Sequence, residues 1–119
     1  MSKTVLAIDD SQFMLNTIRT LLENDGYECI EALNGDDGIE KYKNNNIDVV
    51  LLDIKLGEED GIEVLKKLHD IDPDIKVAMV SAMSADYNRS EAELLGASAF
   101  IKKPINYREF HLTLERMFE

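Results

Sequence analysis

Three carboxylates, a hydroxyl and an ammonium recur at comparable places along this chain: Asp9, Asp10, Asp53, Ser81 and Lys103. Each comes at the end of a short apolar run. Asp9-Asp10 follows Val5–Ile8, and Asp53 follows Val49-Val50-Leu51-Leu52. Ser81, with the small Ala82 after it, closes Lys76–Ser81, and Lys103-Pro104 follows Ala99–Lys102. Taken singly, each has a plain structural explanation. An acidic pair caps a helix, a serine turns the chain, and a lysine is a surface charge. Those explanations lose force when all five stand at the same end of four different runs.

The charges imply a cation. Two unit charges ~4 Å apart repel by about 4 kcal/mol at an effective dielectric of about 20. Three ionised carboxylates make three such pairs, against about 5–15 kcal/mol of net stability in a small domain. A divalent ion together with Lys103 supplies three positive charges against the three negative ones. The donors are all oxygen, which suits Mg²⁺. Mn²⁺ could substitute, whereas Zn²⁺ would want His or Cys ligands. His69 and His111 lie far apart with no cysteine beside them, and both read as helix-surface residues. Cys29 is the only cysteine, so no internal disulfide can form, and it reads as a small apolar residue in a strand.

The elements that must position these groups follow from periodicity. Short apolar runs alternate with amphipathic ones. Val5–Ile8 is a buried strand, and Ser11–Asn24 is a helix with Met14, Leu15, Ile18, Leu21 and Leu22 on one face. Asp25-Gly26 ends that helix. Glu28–Ala32 is a strand, Asn34-Gly35 a turn, and Asp36–Lys43 a short helix. Ile47–Leu52 is a continuous apolar run, as fits a central parallel strand covered on both faces. Asp60 caps a helix carrying Ile62, Val64, Leu65 and Leu68. Lys76–Ser81 is the fourth strand, and a helix from about Ala85 to Leu95 ends at Gly96. Ala99–Lys102 is the fifth strand and Tyr107–Phe118 the last helix. Five βα units imply an α/β fold, a parallel sheet with right-handed crossovers and helices on both faces. In such sheets ligands bind beyond the carboxyl ends of the strands, which is where the five polar residues fall.

Composition bounds the function. The 119 residues suffice for one domain with one core, so residues 1–119 are expected to form a single domain without an output domain. A net charge of −11 repels nucleic-acid phosphates and anionic lipid, which argues against direct binding to either. The N-terminal apolar run is too short for a signal peptide, and no stretch approaches the ~20 apolar residues of a membrane span. A cytoplasmic, monomeric protein is the expectation.

The order and spacing of several segments resemble the CheY-like receiver domains of two-component response regulators over essentially the whole chain. They are Ile8-Asp9-Asp10-Ser11, Leu51-Leu52-Asp53-Ile54-Lys55-Leu56, Asp60-Gly61, Val80-Ser81-Ala82, Gly96-Ala97 and Phe100-Ile101-Lys102-Lys103-Pro104. The resemblance implies a doubly wound (βα)5 fold of the flavodoxin/CheY type with strand order 2-1-3-4-5. It implies that Asp53 is the phosphoacceptor. Asp10 and Asp53 would bind Mg²⁺ directly, Asp9 through water, and the Lys55 backbone carbonyl would complete the protein's ligands. Ser81, beside Ala82, would be the switch hydroxyl, Lys103 would pair with the phosphoryl group, and Phe100 would be the aromatic that turns inward. The Lys103-Pro104 peptide would be cis. A sensor histidine kinase or histidine phosphotransfer protein would be the donor, and a downstream protein would read the surface of the fourth helix, fifth strand and fifth helix. The chain would catalyse only its own phosphorylation and dephosphorylation.

Gly57 stands where the family often has proline, which predicts a mobile loop after Asp53. Phe100 replaces a frequent tyrosine and has no hydroxyl to donate. Phe13 either docks the phosphoryl donor or is peripheral core. Lys55 and Met83, which border the path of an attacking water in this family, predict a long-lived phosphoryl group. The competing readings are a degenerate receiver that binds without being phosphorylated, a flavodoxin-like cofactor protein and a dehalogenase-like phosphatase. Retention of Asp9, Asp10, Asp53 and Lys103 opposes the first. An acidic pair in place of a phosphate loop opposes the second, and the absence of Asp-x-Asp after the first strand opposes the third.

Overall fold

The apolar runs become strands whose successive side chains point to opposite faces, so each strand serves two cores. The computed structural model describes residues 2–82 and 86–119. Its main sheet takes β1 (Thr4–Ile8), β2 (Glu28–Ala32), β3 (Val49–Asp53), β6 (Val77–Ser81) and β7 (Ala99–Lys102). All pairings are parallel, in the order β2-β1-β3-β6-β7. A separate antiparallel hairpin, β4 (Lys55–Leu56) with β5 (Glu59–Asp60), lies between β3 and the next helix. Apart from that hairpin, the strand order is the expected 2-1-3-4-5.

Among the described residues five helices cover the sheet: α1 (Gln12–Asn24), α2 (Gly35–Asn44), α3 (Gly61–Ile71), α4 (Asp86–Leu94) and α5 (Tyr107–Met117). One core joins Val5, Ala7, Val49, Leu51, Ala78 and Val80 to Leu15, Ile18 and Leu22 of α1 and to Phe110 and Leu114 of α5. The other joins Leu6, Ile8, Val50, Leu52, Val77 and Met79 to Ile62, Val64, Leu65 and Leu68 of α3 and Ala92 of α4, with Ile39 and Tyr42 of α2 against it. Every residue of β3 is buried, as its unbroken apolar run requires. Each fully buried Leu or Ile contributes about 1.5–3 kcal/mol relative to exposure.

Helix starts follow the capping rule. Ser11, Asn34, Asp60 and Asn106 are in extended conformation and accept from N–H groups two or three residues on. Asn34-Gly35 is therefore a helix start and not a free-standing turn. Gly26 (φ 86°) and Gly96 (φ 100°) end α1 and α4 in the left-handed region. No helix among the described residues is long and apolar enough to cross a membrane.

The two histidines lie in helices, as their sequence context indicates. His111 also ties two helices together. Asp25, the C-cap of α1, accepts from the Tyr107 hydroxyl at 3.0 Å and pairs with His111 Nδ1 at 2.9 Å. The hydrogen bond to Asp25 raises the His111 pKa above 6.5, outweighing partial burial, and the Asp25 and Glu115 charges add to it. A raised histidine pKa stabilises the folded chain below the unfolded pKa, and that contribution is lost as pH rises through the folded one. By NMR titration, the His111 midpoint should therefore lie above 6.5. Asp25→Asn should bring it down, and an unshifted wild-type midpoint would contradict the contact.

Candidate functional site

The strand ends bring the acidic residues together. Asp9 and Asp10 follow β1, and Asp53 is the last residue of β3, the neighbouring strand. Asp9, Asp10 and Asp53 each place a carboxylate oxygen within 4.8 Å of the others. Asp9 and Asp53 are buried, at 1% and 7% exposure, while Asp10 is exposed. Lys103, just past β7, reaches across with its ammonium. Its Nζ donates to Asp53 Oδ2 at 2.9 Å and to Asp9 Oδ2 at 3.1 Å.

The remaining oxygens are held by backbone. Asp9 Oδ1 accepts from the Ser11 N–H at 2.9 Å, and Asp53 Oδ1 from the Lys55 N–H at 3.1 Å. Burial is the largest influence on Asp53 and raises its pKa. The Lys103 ammonium and the Lys55 N–H pull the other way without overcoming it, and the Asp9 charge adds to the rise. Burial alone would lower the Lys103 pKa, but hydrogen bonds to Asp53 and Asp9 outweigh it and hold the ammonium firmly protonated. One ammonium thus faces three carboxylates, and two negative charges remain uncompensated when all three are ionised. Three clustered carboxylates offering only oxygen are a donor set that could hold Mg²⁺.

The rest of the edge falls into place around them. Ser81 ends β6 and pairs in register with Lys102, next to Lys103. Ala82 is exposed beside it. Phe100, on β7, is half-buried against the core that holds α3 and α4. The Lys103-Pro104 peptide is cis. Lys55 is exposed on the hairpin, and Met83 lies outside the described residues. Phe13 is 78% exposed at the start of α1 and belongs to neither core cluster.

Two features escaped the sequence reading. The first is the hairpin after Asp53. Gly57 takes φ 62°, and no non-glycine described residue has positive φ. A glycine alone at the first turn position is the II′ pattern that joins two strands tightly. Gly57-Glu58 between two-residue strands was the available signal. The second is Gly61, which returns the chain against β3, its N–H donating to the Ile54 carbonyl at 2.7 Å.

This geometry matches known proteins. Residues 5–115 fit the model of the response regulator receiver domain. This chain belongs to that family. It is 40% identical to the chemotaxis protein CheY of Thermotoga maritima over 105 residues, which is 87% of this chain and 88% of that protein. It is 38% identical to CheY of Treponema pallidum over 116 residues, covering 95% of this chain and 78% of the relative. A solved CheX–CheY–BeF3–Mg²⁺ complex from Borrelia burgdorferi superposes with a TM-score of 0.93 at 31% identity, over 98% of this chain and 90% of the other. Receivers are components of two-component signalling, not enzymes that turn over a separate substrate.

Gly61 gives a direct test of the site's frame. A Cβ there would lie 2.1 Å from the Asp53 carbonyl oxygen and 2.7 Å from that of Ile54. Glycine to alanine at an unstrained position stabilises by about 0.4–1 kcal/mol. At Gly61 the sign should reverse, to a loss of about 1–3 kcal/mol. Urea unfolding of Gly61→Ala measures it, and an unchanged midpoint would show that the backbone yields freely.

Proposed function

We propose that this chain is a Mg²⁺-dependent phosphoacceptor that takes a phosphoryl group onto Asp53 and relays the change to a protein partner. The observation that carries the proposal is the buried Asp53 between two further carboxylates and a single ammonium. That imbalance favours a divalent cation, and the cation's oxygen-rich site would lie against an incoming phosphoryl group. Asp10, Asp53 and the Lys55 backbone carbonyl would hold Mg²⁺, with Asp9 assisting through water. When bound, Mg²⁺ would neutralise charge on the transferring group.

The chain's own groups do the rest. An Asp53 carboxylate oxygen attacks phosphorus in line. The bond from phosphorus to a histidine nitrogen of the donor breaks, its electron pair stays on that nitrogen, and an acyl phosphate forms on Asp53. Phosphoryl transfer requires chiefly positioning and charge stabilisation, so small acyl phosphates serve as donors as well as a sensor kinase or phosphotransfer protein. Lys103 exchanges its carboxylate partners for a phosphoryl oxygen, and Ser81 donates to another. The product carries about −2 charge where the carboxylate carried −1. Ser81, the last residue of β6, pairs with Lys102, the last residue of β7, and Lys103 follows directly, so the new contacts draw on the strand that bears Phe100. The surface of α4, β7 and α5 changes shape as Phe100 turns inward, a population shift driven by one local charge. The degenerate-receiver alternative lacks support, since Asp9, Asp10, Asp53 and Lys103 all remain.

Incubation with acetyl phosphate and Mg²⁺ should give acid-labile, hydroxylamine-sensitive labelling that Asp53→Asn abolishes. Asp10→Ala should weaken Mg²⁺ binding by about tenfold or more, ~1.4 kcal/mol per factor of ten, by titration calorimetry. The same change should raise the melting temperature in metal-free buffer by relieving repulsion. Wild-type labelling in Asp53→Asn, or unchanged Mg²⁺ affinity in Asp10→Ala, would defeat the proposal.

Phe13 supports a docking role for the start of α1, because an exposed aromatic contributes little to the fold it sits on. Phe13→Ala should slow transfer from the donor protein while leaving acetyl phosphate labelling and the urea midpoint unchanged. Equal slowing of both reactions would remove Phe13 from the partner surface.

A further inference from the structure

The hairpin that carries Lys55 is tied at its far strand to another part of the chain. Glu59 Oε1 accepts a hydrogen bond from the Gly35 N–H at 2.8 Å, across 24 positions of sequence. Gly35 is the first residue of α2, so its N–H is one of those a helix start leaves without an intrahelical partner. Asn34 already satisfies a second, accepting from the Asp37 N–H at 2.8 Å. A Cβ on Gly35 would lie 2.6 Å from Glu59 Oε2, so the carboxyl group occupies the space a side chain would need. The positive end of the helix favours a carboxylate there.

The other side of the hairpin faces the acidic cluster. Glu59 pairs with Leu56, and Asp60 with Lys55. The Lys55 N–H is on Asp53 Oδ1. A Cβ on Gly57 would lie 3.4 Å from Asp10 Oδ2, so the turn passes close to the exposed carboxylate. A two-stranded hairpin is marginal by itself, and glycine loses the most freedom on being ordered. With Gly57 at the turn, something outside the hairpin must hold it. Buried Leu56 does so on the apolar side. Glu59 does so on the polar side.

We infer that Glu59 is a positioning residue: its hydrogen bond to the start of α2 fixes the hairpin, and through it the Lys55 backbone, whose N–H is on Asp53 and whose carbonyl is the ligand assigned to Mg²⁺ above. The inference rests on the Mg²⁺-dependent reading above and adds the start of α2 to the frame of that site.

The test compares wild type, Glu59→Ala, Glu59→Gln and Glu58→Gln. Glutamine at position 59 keeps an oxygen acceptor for Gly35 but loses the charge. The Glu58→Gln variant removes a charge from the exposed turn without touching the contact. Amide hydrogen exchange of residues 55–60 is read in metal-free protein, and Mg²⁺ affinity by titration calorimetry. Glu59→Ala should speed exchange in the hairpin and weaken Mg²⁺ by about tenfold, the lower end for loss of a group that orients a metal ligand. Glu59→Gln should restore both to near wild type, and Glu58→Gln should change neither. A melting temperature close to wild type for Glu59→Gln keeps the comparison within folded protein. Unchanged exchange in Glu59→Ala would overturn the contact itself. Faster exchange with unchanged Mg²⁺ affinity would overturn the positioning role. Equal weakening in Glu59→Ala and Glu59→Gln would assign the effect to charge and overturn it likewise. Failure of wild type to bind Mg²⁺ would instead strike the metal-dependent reading, and the inference with it.

Discussion

The structure turns on an electrostatic constraint at the carboxyl edge of its sheet. Two buried carboxylates, Asp9 and Asp53, share one ammonium, with Asp10 a third carboxylate beside them. Burial of an ionised carboxyl is costly unless it is paired and hydrogen-bonded. Here each oxygen of Asp9 and Asp53 has a partner in Lys103 or a backbone N–H. The geometry of those bonds is satisfied while the charge is not. Added positive charge beside those carboxylates would lower the repulsion among them.

The sheet topology is what brings that arrangement together. Parallel strands all end on the same side, so residues distant in sequence arrive at one edge. Lys103 and Asp9 are 94 positions apart and Lys103 and Asp53 are 50, yet all three lie at the carboxyl ends of strands of one sheet. The strands can be placed so firmly because both faces of the sheet are covered. A shift of β7 relative to β6 would move Lys103 as well as Phe100, which is half-buried against one of the two cores. The electrostatic site and the packing are therefore mechanically one unit.

Much of this was legible in the residues. Strand and helix types follow from period, and β2 and β7 fall on their expected residues. Elsewhere the bounds move by a residue or two, as at β3, which begins at Val49 and not Ile47 because pairing with β1 starts there. The acidic cluster was legible because each member directly follows an apolar run. What was not legible depends on side-chain reach or on close backbone approach. Two-residue strands carry no periodicity, so the hairpin left only Gly57 as a trace. The pairing of Asp25 with Tyr107 and His111 crosses 82 and 86 positions and has no local pattern. Gly61 and Gly35 look like ordinary helix-start glycines. Their necessity comes from what a Cβ would strike: the Asp53 carbonyl in one case, Glu59 and Val64 in the other.

The hairpin also alters the consequence of having Gly57 where the family often has proline. Proline would stiffen this stretch through its own ring, by fixing φ near −65°. Glycine cannot, but it permits the positive φ that the tight turn needs. Rigidity then has to come from the contacts of the two short strands with their surroundings. Those contacts are Leu56 in the core, the Lys55 N–H on Asp53, the Gly61 N–H on the Ile54 carbonyl, and Glu59 on the start of α2. A local restraint in one residue is thus replaced by a distributed one. The price is that the segment beside Asp53 now depends on α2, an element from which a proline would have left it more independent.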